Sequence, residues 1–354
     1  MNVCIVGDGL VSLTLAKVLV NQGIHVDLIL DKKTKKIDKS RTLGISKANI
    51  DFFNQYILNI KKILWEINKI EIYTENLKNE KILNFEKKNK SLFSITKNYE
   101  LYNILSSSLN KSIFFNKKPF KKNIYNENYN LIFNCDRDNF IAKKHFSKKF
   151  SKNYKGFAYT SIIDHNKIAN NTAVQIFTKK GPLAFLPISN VKTSVVYSVR
   201  DEDKIDLEQL VKKYNFKYSN IKINEVSSFK LSSISLRNYF YKNILAFGDS
   251  LHKLHPLAGQ GFNMSIRDIR SVFELIKNKI DLGLDLDSSI FRDFEKKMKH
   301  KNFLFSNSID LIYEIFKLES KINNPFLSKS IQFFGKKNYV NKFFTDYADR
   351  GIDL

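Results

Sequence analysis

The chain is expected to fold as an α/β protein, with a discontinuous principal domain, an inserted β-sheet region and a helical C-terminal part. Three observations carry this expectation. Residues 1–31 run strand, glycine turn, helix, strand. A second glycine-rich segment, Gly248 to Asn263, lies far along the chain between a strand and a helix. The stretches between them have a strand-like texture, with short runs rich in Val, Ile, Tyr and Thr.

Val3 to Val6 is an apolar strand and Gly7-Asp8-Gly9-Leu10-Val11-Ser12 is the turn. Leu10 to Val20 reads as a helix stopped by Gly23, a residue suited to the position after a helix end. Ile24 to Leu30 is the second strand, ending at Asp31, 24 residues after Gly7 (31 − 7). In such a βαβ opening the first glycine makes the tight turn and the second lets backbone approach a pyrophosphate. An acid at this distance accepts hydrogen bonds from a ribose. Ser12 replaces the usual third glycine and is small enough for close helix–strand packing. Taken alone the turn is weak evidence; strand, helix and acid together point to a dinucleotide.

Asn243 to Phe247 is a strand, followed by Gly248, Asp249, His252, His255, Pro256, Ala258, Gly259, Gln260, Gly261 and Asn263. Met264, Ile266, Ile269, Val272, Leu275 and Ile276 then recur at helical spacing. A glycine turn at a helix start presents backbone N–H groups and a partial positive charge, so an electron-rich group is expected there. Both segments must meet at one ligand. Between them, Ile70–Tyr73 and Ser91–Thr96 are expected to form a hairpin around the polar Glu75–Lys90 run. Thr172–Thr178 and Thr193–Val199 are expected to flank a Gly181–Pro187 loop in the same way. Leu101–Leu109 reads as a short helix and Asn130–Cys135 as a returning strand. From about Ser288 the chain is helical, with Phe303, Phe305, Ile309, Ile312 and Phe316 as its apolar positions. The implied division is residues 1–69, 98–150 and 240–287 as the nucleotide domain, 70–97 and 151–239 as a β-sheet substrate domain, and 288–354 as the helical region.

The 354 residues suffice for a large core. No apolar run reaches the roughly 18 residues needed to span a bilayer, and with a strand beginning at Val3 no signal peptide is expected. Cys4 and Cys135 lie in apolar strand-like runs, so buried thiols in a reducing cytoplasm are expected rather than a disulfide framework. The net charge of +24 is almost all lysine, accompanied by abundant Asn, Ile, Phe and Tyr. Base-composition drift accounts for that pattern, with attraction to an anionic membrane surface as the alternative. The interleaved aromatic and arginine pattern of a single-strand nucleic-acid groove is missing, so no nucleic acid is expected as a partner. No paired-Cys or H-E-x-x-H metal pattern and no G-x-S-x-G elbow occurs. His252 and His255 read as turn residues rather than metal ligands. The chemistry therefore needs a cofactor.

The Gly248–Asn263 segment resembles the G-D-A-A-H-x-x-H-P-x-A-G-Q-G-x-N motif of FAD-dependent aromatic hydroxylases with the p-hydroxybenzoate hydroxylase fold, and within them the ubiquinone-biosynthesis hydroxylases. Arg41-Thr-Leu-Gly-Ile-Ser46 and Gly181-Pro-Leu-Ala-Phe-Leu-Pro187 resemble further motifs of that branch, in the same order. Asn324-Pro-Phe-Leu and Lys342–Gly351 are looser echoes of its helical tail.

The resemblance implies a discontinuous Rossmann-like FAD-binding domain with an inserted substrate sheet. It implies FAD held by Gly7, Gly9, Leu10, Val11, Ser12, Asp31, Arg41, Asn103, Asp249, Pro256, Gly259, Gln260, Gly261 and Asn263. Asp249 would take the ribityl chain, Pro256 would fix the loop beside the flavin, and Gly259 to Gly261 would face the flavin N1/C2=O edge. Pro182, Leu183 and Phe185 would form a lid over the substrate, with core strand as the plain alternative. The implied reaction is NAD(P)H-dependent hydroxylation of a phenolic, polyprenylated ring by O₂ through a flavin C4a-hydroperoxide. The alternatives are a reductase or oxidase of the same fold acting on a lipid, or a silent lipid-binding subunit of a membrane-side assembly. A cytoplasmic place, peripheral at the inner membrane and beside other ubiquinone-biosynthesis proteins, would suit such a substrate. The family's D-G-x-x-S-x-x-R motif is altered here to Asp136-Arg137-Asp138-Asn139-Phe140-Ile141-Ala142-Lys143.

Overall fold

The computed structural model describes residues 1–30, 38–77, 80–86, 91–120, 129–200, 205–254, 259–322 and 326–335. The chain opens with β1 (Asn2–Val6), α1 (Leu10–Val20), β2 (His25–Leu30), β3 (Thr42–Ser46) and α2 (Lys47–Phe52). Then come β4 (Trp65–Ile67), β5 (Lys69–Thr74), β6 (Glu80–Glu86), β7 (Phe93–Lys97), α3 (Asn98–Leu109), β8 (Phe115–Pro119) and β9 (Leu131–Asn134). The middle holds α4 (Phe140–His145), β10 (Lys149–Asp164), β11 (Thr172–Phe177), β12 (Pro182–Pro187), β13 (Lys192–Arg200) and α5 (Leu207–Tyr214). The last part holds β14 (Lys222–Ile223), β15 (Ser227–Leu236), β16 (Phe240–Tyr241), β17 (Ile244–Ala246), β18 (His252–Lys253), α6 (Gln260–Asp281), α7 (Ser289–Ile322) and α8 (Phe326–Gly335).

The nucleotide-type layer is a sheet in the order β16-β17-β9-β1-β2-β8. The pairs β17–β9, β9–β1, β1–β2 and β2–β8 are parallel. Such strands are covered on both faces and so read as continuous apolar runs; Val3 to Val6 and Leu131 to Phe133 are fully buried. α1 crosses from β1 to β2, and Gly23 takes φ +73 after it ends. Leu13, Leu15, Leu19, Leu101 and Leu105 join the strands in the largest apolar cluster. Both cysteines are free thiols; Cys4 is buried.

A larger mixed sheet follows the order β18-β15-β10-β13-β12-β11-β5-β6, with β14 on β10. A small sheet, β3-β7-β4, lies apart from it. Two expectations change here. Ile70–Tyr73 pairs with β6, Ile72 opposite Leu83, and not with Ser91–Thr96. Residues 93–97 instead pair antiparallel with β3 and β4, so this part of the 70–97 segment belongs with the small sheet. β18, from the segment assigned to the nucleotide domain, adds to β15 of the large sheet.

The second change concerns Gly181–Pro187, which is not a loop. Pro182–Pro187 is β12, an interior strand between β11 and β13. Leu183 and Phe185 are buried with Val195, Tyr197, Leu207 and Val211 under α5. Pro182 is buried too. The lid assignment of Pro182, Leu183 and Phe185 is therefore corrected to core.

Within the expected 288–354 helical region the described residues form α7 and α8, while 323–325 and 336–354, with Asn324 and Lys342–Gly351, lie outside them. Phe305, Ile309 and Phe316 of α7 are buried with Leu254 and Met264, while Phe303 is 49% exposed. No helix among the described residues is long and apolar enough to cross a membrane.

Candidate flavin site

Two glycine turns converge at the C-terminal ends of β1, β9 and β17, where ligands of open α/β sheets bind. Gly7 takes φ +109 and its N–H donates to Ile29 O at 2.9 Å. A Cβ there would meet Asp136 N at 3.3 Å, so glycine is needed for the turn to press on the β9 end. Gly248 takes φ +56, and a Cβ there would lie 2.9 Å from Val11 Cγ1. That contact joins the two motifs directly. Leu10 and Val11, at the first turn of α1, are partly buried against the main apolar cluster. Ser12 is buried, with its hydroxyl beside the Cys135 thiol, which burial pushes up to about 12.

α1 begins directly after the first glycine turn, and α6 begins at Gln260. Gly9 caps α1 and Gly259, at φ +64, caps α6. Neither cap has a side-chain acceptor and neither first turn has an acid, so the orphan N–H donors are left to an electron-rich ligand. A Cβ on Gly9 or on Gly261 would meet no atom of a described residue within 4 Å. Gln260 Oε1 is buried without a hydrogen-bond partner among the described residues. Asp249 is exposed at the same place, and its carboxylate accepts no hydrogen bond from a described residue. This donor set fits a dinucleotide carrying a polar ring edge: two uncapped helix starts, two bare glycines and a free carboxylate.

The other residues expected at the site are placed as follows. Arg41 lies at the head of β3, its guanidinium 5.1 Å over the Phe229 ring of β15, and so bridges the small sheet to the large one. Asn103 is exposed on α3, one residue from Tyr102. Burial first, then the Asp8 charge, raise the Tyr102 hydroxyl, which places α3 close to the first glycine turn. Asn263 is spent on the protein itself. Its Oδ1 accepts from Ser46 N at 2.9 Å and from Asn49 Nδ2 at 3.0 Å, and its Nδ2 donates to Gly44 O at 2.9 Å. At 2% exposure it staples α6 to β3 and is not free to hold a cofactor with its side chain. Asp31 and Pro256 lie outside the described residues, as does His255. Among the described residues no cluster of His, Cys, Asp and Glu could hold a metal.

Thr160, Ser194, Val196 and Phe229 were not anticipated here; Ala184 and Leu186 belong to the expected lid segment, and Asn139 to the altered motif. On the large sheet, Ala184 and Leu186 alternate with the buried Leu183 and Phe185, opposite Val196 and Ser194. Thr160 pairs with Val196 and Ser227, and Phe229 follows on the same face. Ser40 and Thr42 hydrogen-bond Thr160 and Ser194 across the gap, so this face looks toward β3 and the flavin site. Period-two geometry puts alternate residues of a strand on opposite faces, but β12 is apolar on both. Asn139 Oδ1 caps α4 through Ala142 N at 2.9 Å, and its Nδ2 donates to Asn134 Oδ1 at 2.6 Å.

The altered motif holds its own geometry. Asp136 Oδ1 accepts from Asp138 N, Arg137 pairs with Asp138 at 3.7 Å, and Phe140 is exposed. Beside it a cavity of about 270 Å³ is lined by Arg137, Lys143, Lys149, Leu236 and Ser250. Burial first, then Arg137 and Arg41, hold the Lys253 ammonium below its ordinary range against the pull of Asp249. This flank of the site is positive.

Parallel sheet, twin glycine-capped helices and a roofing mixed sheet define a dinucleotide-binding flavoprotein class. The sequence profile of the FAD binding domain family matches residues 1–111 and 183–280, and the chain belongs to that family. Its cofactor is FAD. It is 24% identical over 205 residues to the mitochondrial ubiquinone biosynthesis monooxygenase COQ6 of Dictyostelium discoideum, covering 46% of this chain and 40% of that protein. It is 26% identical over 149 residues to the 3-demethoxyubiquinol 3-hydroxylase of Escherichia coli, covering 39% of this chain and 38% of that one. The matched stretches span about two-fifths of these relatives. The fold is shared with the p-nitrophenol 4-monooxygenase PnpA of Pseudomonas putida, at a TM-score of 0.78 and 12% identity over 99% of this chain and 98% of that one. It is shared also with PqsL of Pseudomonas aeruginosa, at 0.72 and 12% over 94% and 99%.

Proposed function

We propose that the protein is an FAD-dependent monooxygenase that uses NAD(P)H and O₂ to hydroxylate a phenolic, polyprenylated ring in ubiquinone biosynthesis. The observation that carries this reading is the open pair of helix starts at Gly9 and Gly259, together with the sheet face of Phe229, Val196, Ala184 and Leu186 that Ser40 and Thr42 tie to β3. The names of the relatives supply the substrate class. When bound, FAD supplies electron transfer from the nicotinamide and activation of O₂. The chain's own groups do the rest. Backbone N–H groups of Gly9 and the α1 start would hold the pyrophosphate, and Asp249 would accept from the ribityl hydroxyls. Gly259 to Gly261, at the positive end of α6, would offer N–H groups to an electron-rich edge of the ring. The apolar sheet face seats the aromatic ring and excludes water. In this reading residues 1–69, 98–150 and 240–287, less β18 and with β7 added, form the flavin domain.

The test is NAD(P)H oxidation in the presence of a polyprenylphenol. The expected result is stimulated consumption of NAD(P)H with a product heavier by one oxygen atom. Stimulated oxidation with no oxygenated product contradicts hydroxylation.

A lipid substrate needs access to a bilayer. On α7, Phe303, Leu311 and Leu318 are 49%, 61% and 52% exposed and recur at helical spacings of 8 and 7. Of the lysines before them, Lys297 pairs with Glu274 and Lys299 with Glu295, exposed pairs of small worth that a stronger anionic surface can replace. With a net charge of +24, this face suits peripheral attachment to anionic lipid at roughly 1 kcal/mol per lysine near the surface. The protein is expected to pellet with vesicles containing anionic lipid and to be released as salt rises. Equal binding to neutral vesicles at high salt contradicts the charge-led mode.

A further inference from the structure

We propose that Gln175 is a substrate-orienting residue, its side-chain amide hydrogen-bonding a ring oxygen of the phenol on the large sheet. The proposal rests on the function proposed above and adds to it the residue that reads that oxygen. Gln175 stands in β11, an interior strand between β5 and β12. It opposes Ile72 on one side and Ala184 on the other; Ala184 opposes Val196, and Val196 opposes Thr160. These residues form one row across β5, β11, β12, β13 and β10, on a single face of the sheet. The opposite face is closed, with Val174, Ile176, Leu183 and Val195 buried against Leu207 and Val211 of α5.

The row is covered at its flanks and open in its middle. Two residues before Gln175, Ala173 is buried with Ile67 and Ile95 of the small sheet. Two residues after it, Phe177 stacks on Phe316 of α7, with ring centroids 3.5 Å apart. Gln175 shares their face, yet Gln175, Ile72, Ala184 and Val196 are all only half-buried. The Gln175 amide makes no hydrogen bond to a described residue. An amide set between two apolar covers, with donor and acceptor unspent, matches a phenol hydroxyl, which also donates and accepts. At the other end of the row Thr160 hydrogen-bonds Ser40, and Thr42 donates to Ser194 beside it, so the row runs up to β3. A Cβ on Gly259 would lie 3.5 Å from Gly44 N, which sets the α6 start against that same strand. Strand spacing of about 4.8 Å puts Gln175 roughly 10 Å across the sheet from Val196, within reach of one phenol ring and one hydrogen bond. A ring over the small Ala184 therefore turns an oxygen to Gln175 and its far edge toward the α6 start.

The test titrates a prenylphenol, and the same molecule without its ring hydroxyl, into the FAD-loaded protein and follows the flavin absorbance. Gln175→Met keeps the volume and loses the amide; Ala184→Leu fills the middle of the row. Comparing the two probes in each protein isolates the contact to the hydroxyl, because the solvation of each probe cancels between proteins. Gln175→Met is expected to weaken the prenylphenol about fivefold or more and to leave the deoxy probe within about twofold. Its FAD affinity and apoprotein melting are expected to match the unaltered protein. Ala184→Leu is expected to weaken both probes at least tenfold without loss of FAD. A Gln175→Met protein that keeps the preference for the phenol, or that weakens both probes alike, overturns the proposal. So does an Ala184→Leu protein that binds both probes as before. An unaltered, FAD-loaded protein that binds neither probe overturns the substrate reading above, and this proposal with it.

Discussion

Gly261→Val and Gly9→Val are expected to give folded proteins that no longer retain FAD. A Cβ at either position meets no atom of a described residue within 4 Å, and neither glycine is among those with positive φ. The cost to the apoprotein is limited to a β-branched residue at a helix start, under about 1 kcal/mol. The space that the side chain fills is the approach of backbone to cofactor. A loss of at least a hundredfold in FAD affinity, about 3 kcal/mol, is expected from blocking it. Melting of the apoproteins together with FAD titration checks this. Gly248→Val does not separate the two effects, because its side chain also collides with Val11 and its φ of +56 disfavours any branched residue.

Gly181→Ala has the largest expected effect on stability. A Cβ there would sit 2.0 Å from Ser198 O, with φ at +152. Gly181 closes the turn into β12, where its N–H donates to Thr178 O at 3.2 Å and its carbonyl accepts from Thr178 N at 3.1 Å. The backbone of β13 cannot retreat without breaking Leu183–Tyr197 pairing in the centre of the sheet. Strain and lost pairing together are expected to cost about 3 kcal/mol or more in urea unfolding. A variant within about 1 kcal/mol of the unaltered protein contradicts the described register.

Much of this site was legible in the sequence because its determinants are local. The extent of α1, Leu10 to Val20, follows from a glycine turn before it and Gly23 after it. The meeting of the two glycine segments follows from ligand logic, and Gly248 against Val11 is the contact that makes it. The illegible parts depend on partners far away. β6 carries Glu80, Lys81 and Glu86, which obscure its alternation, and β7 finds β3 and β4 through register that no local pattern encodes. The run Pro182–Leu186 is apolar at every position because β12 is interior, so the sequence does not say which side faces the cleft. Asn263 looked like a ligand because it closes a family motif. The structure spends its amide on Ser46, Gly44 and Asn49, more than 200 residues away in sequence.

The central claim is that the two uncapped, glycine-led helix starts hold FAD, and denaturing the purified protein tests it most directly. The account predicts a yellow protein that releases FAD, and not FMN, in about one equivalent, because the Gly7–Ser12 turn is shaped for the adenosine diphosphate half. A colourless protein that takes up no FAD on titration would contradict it.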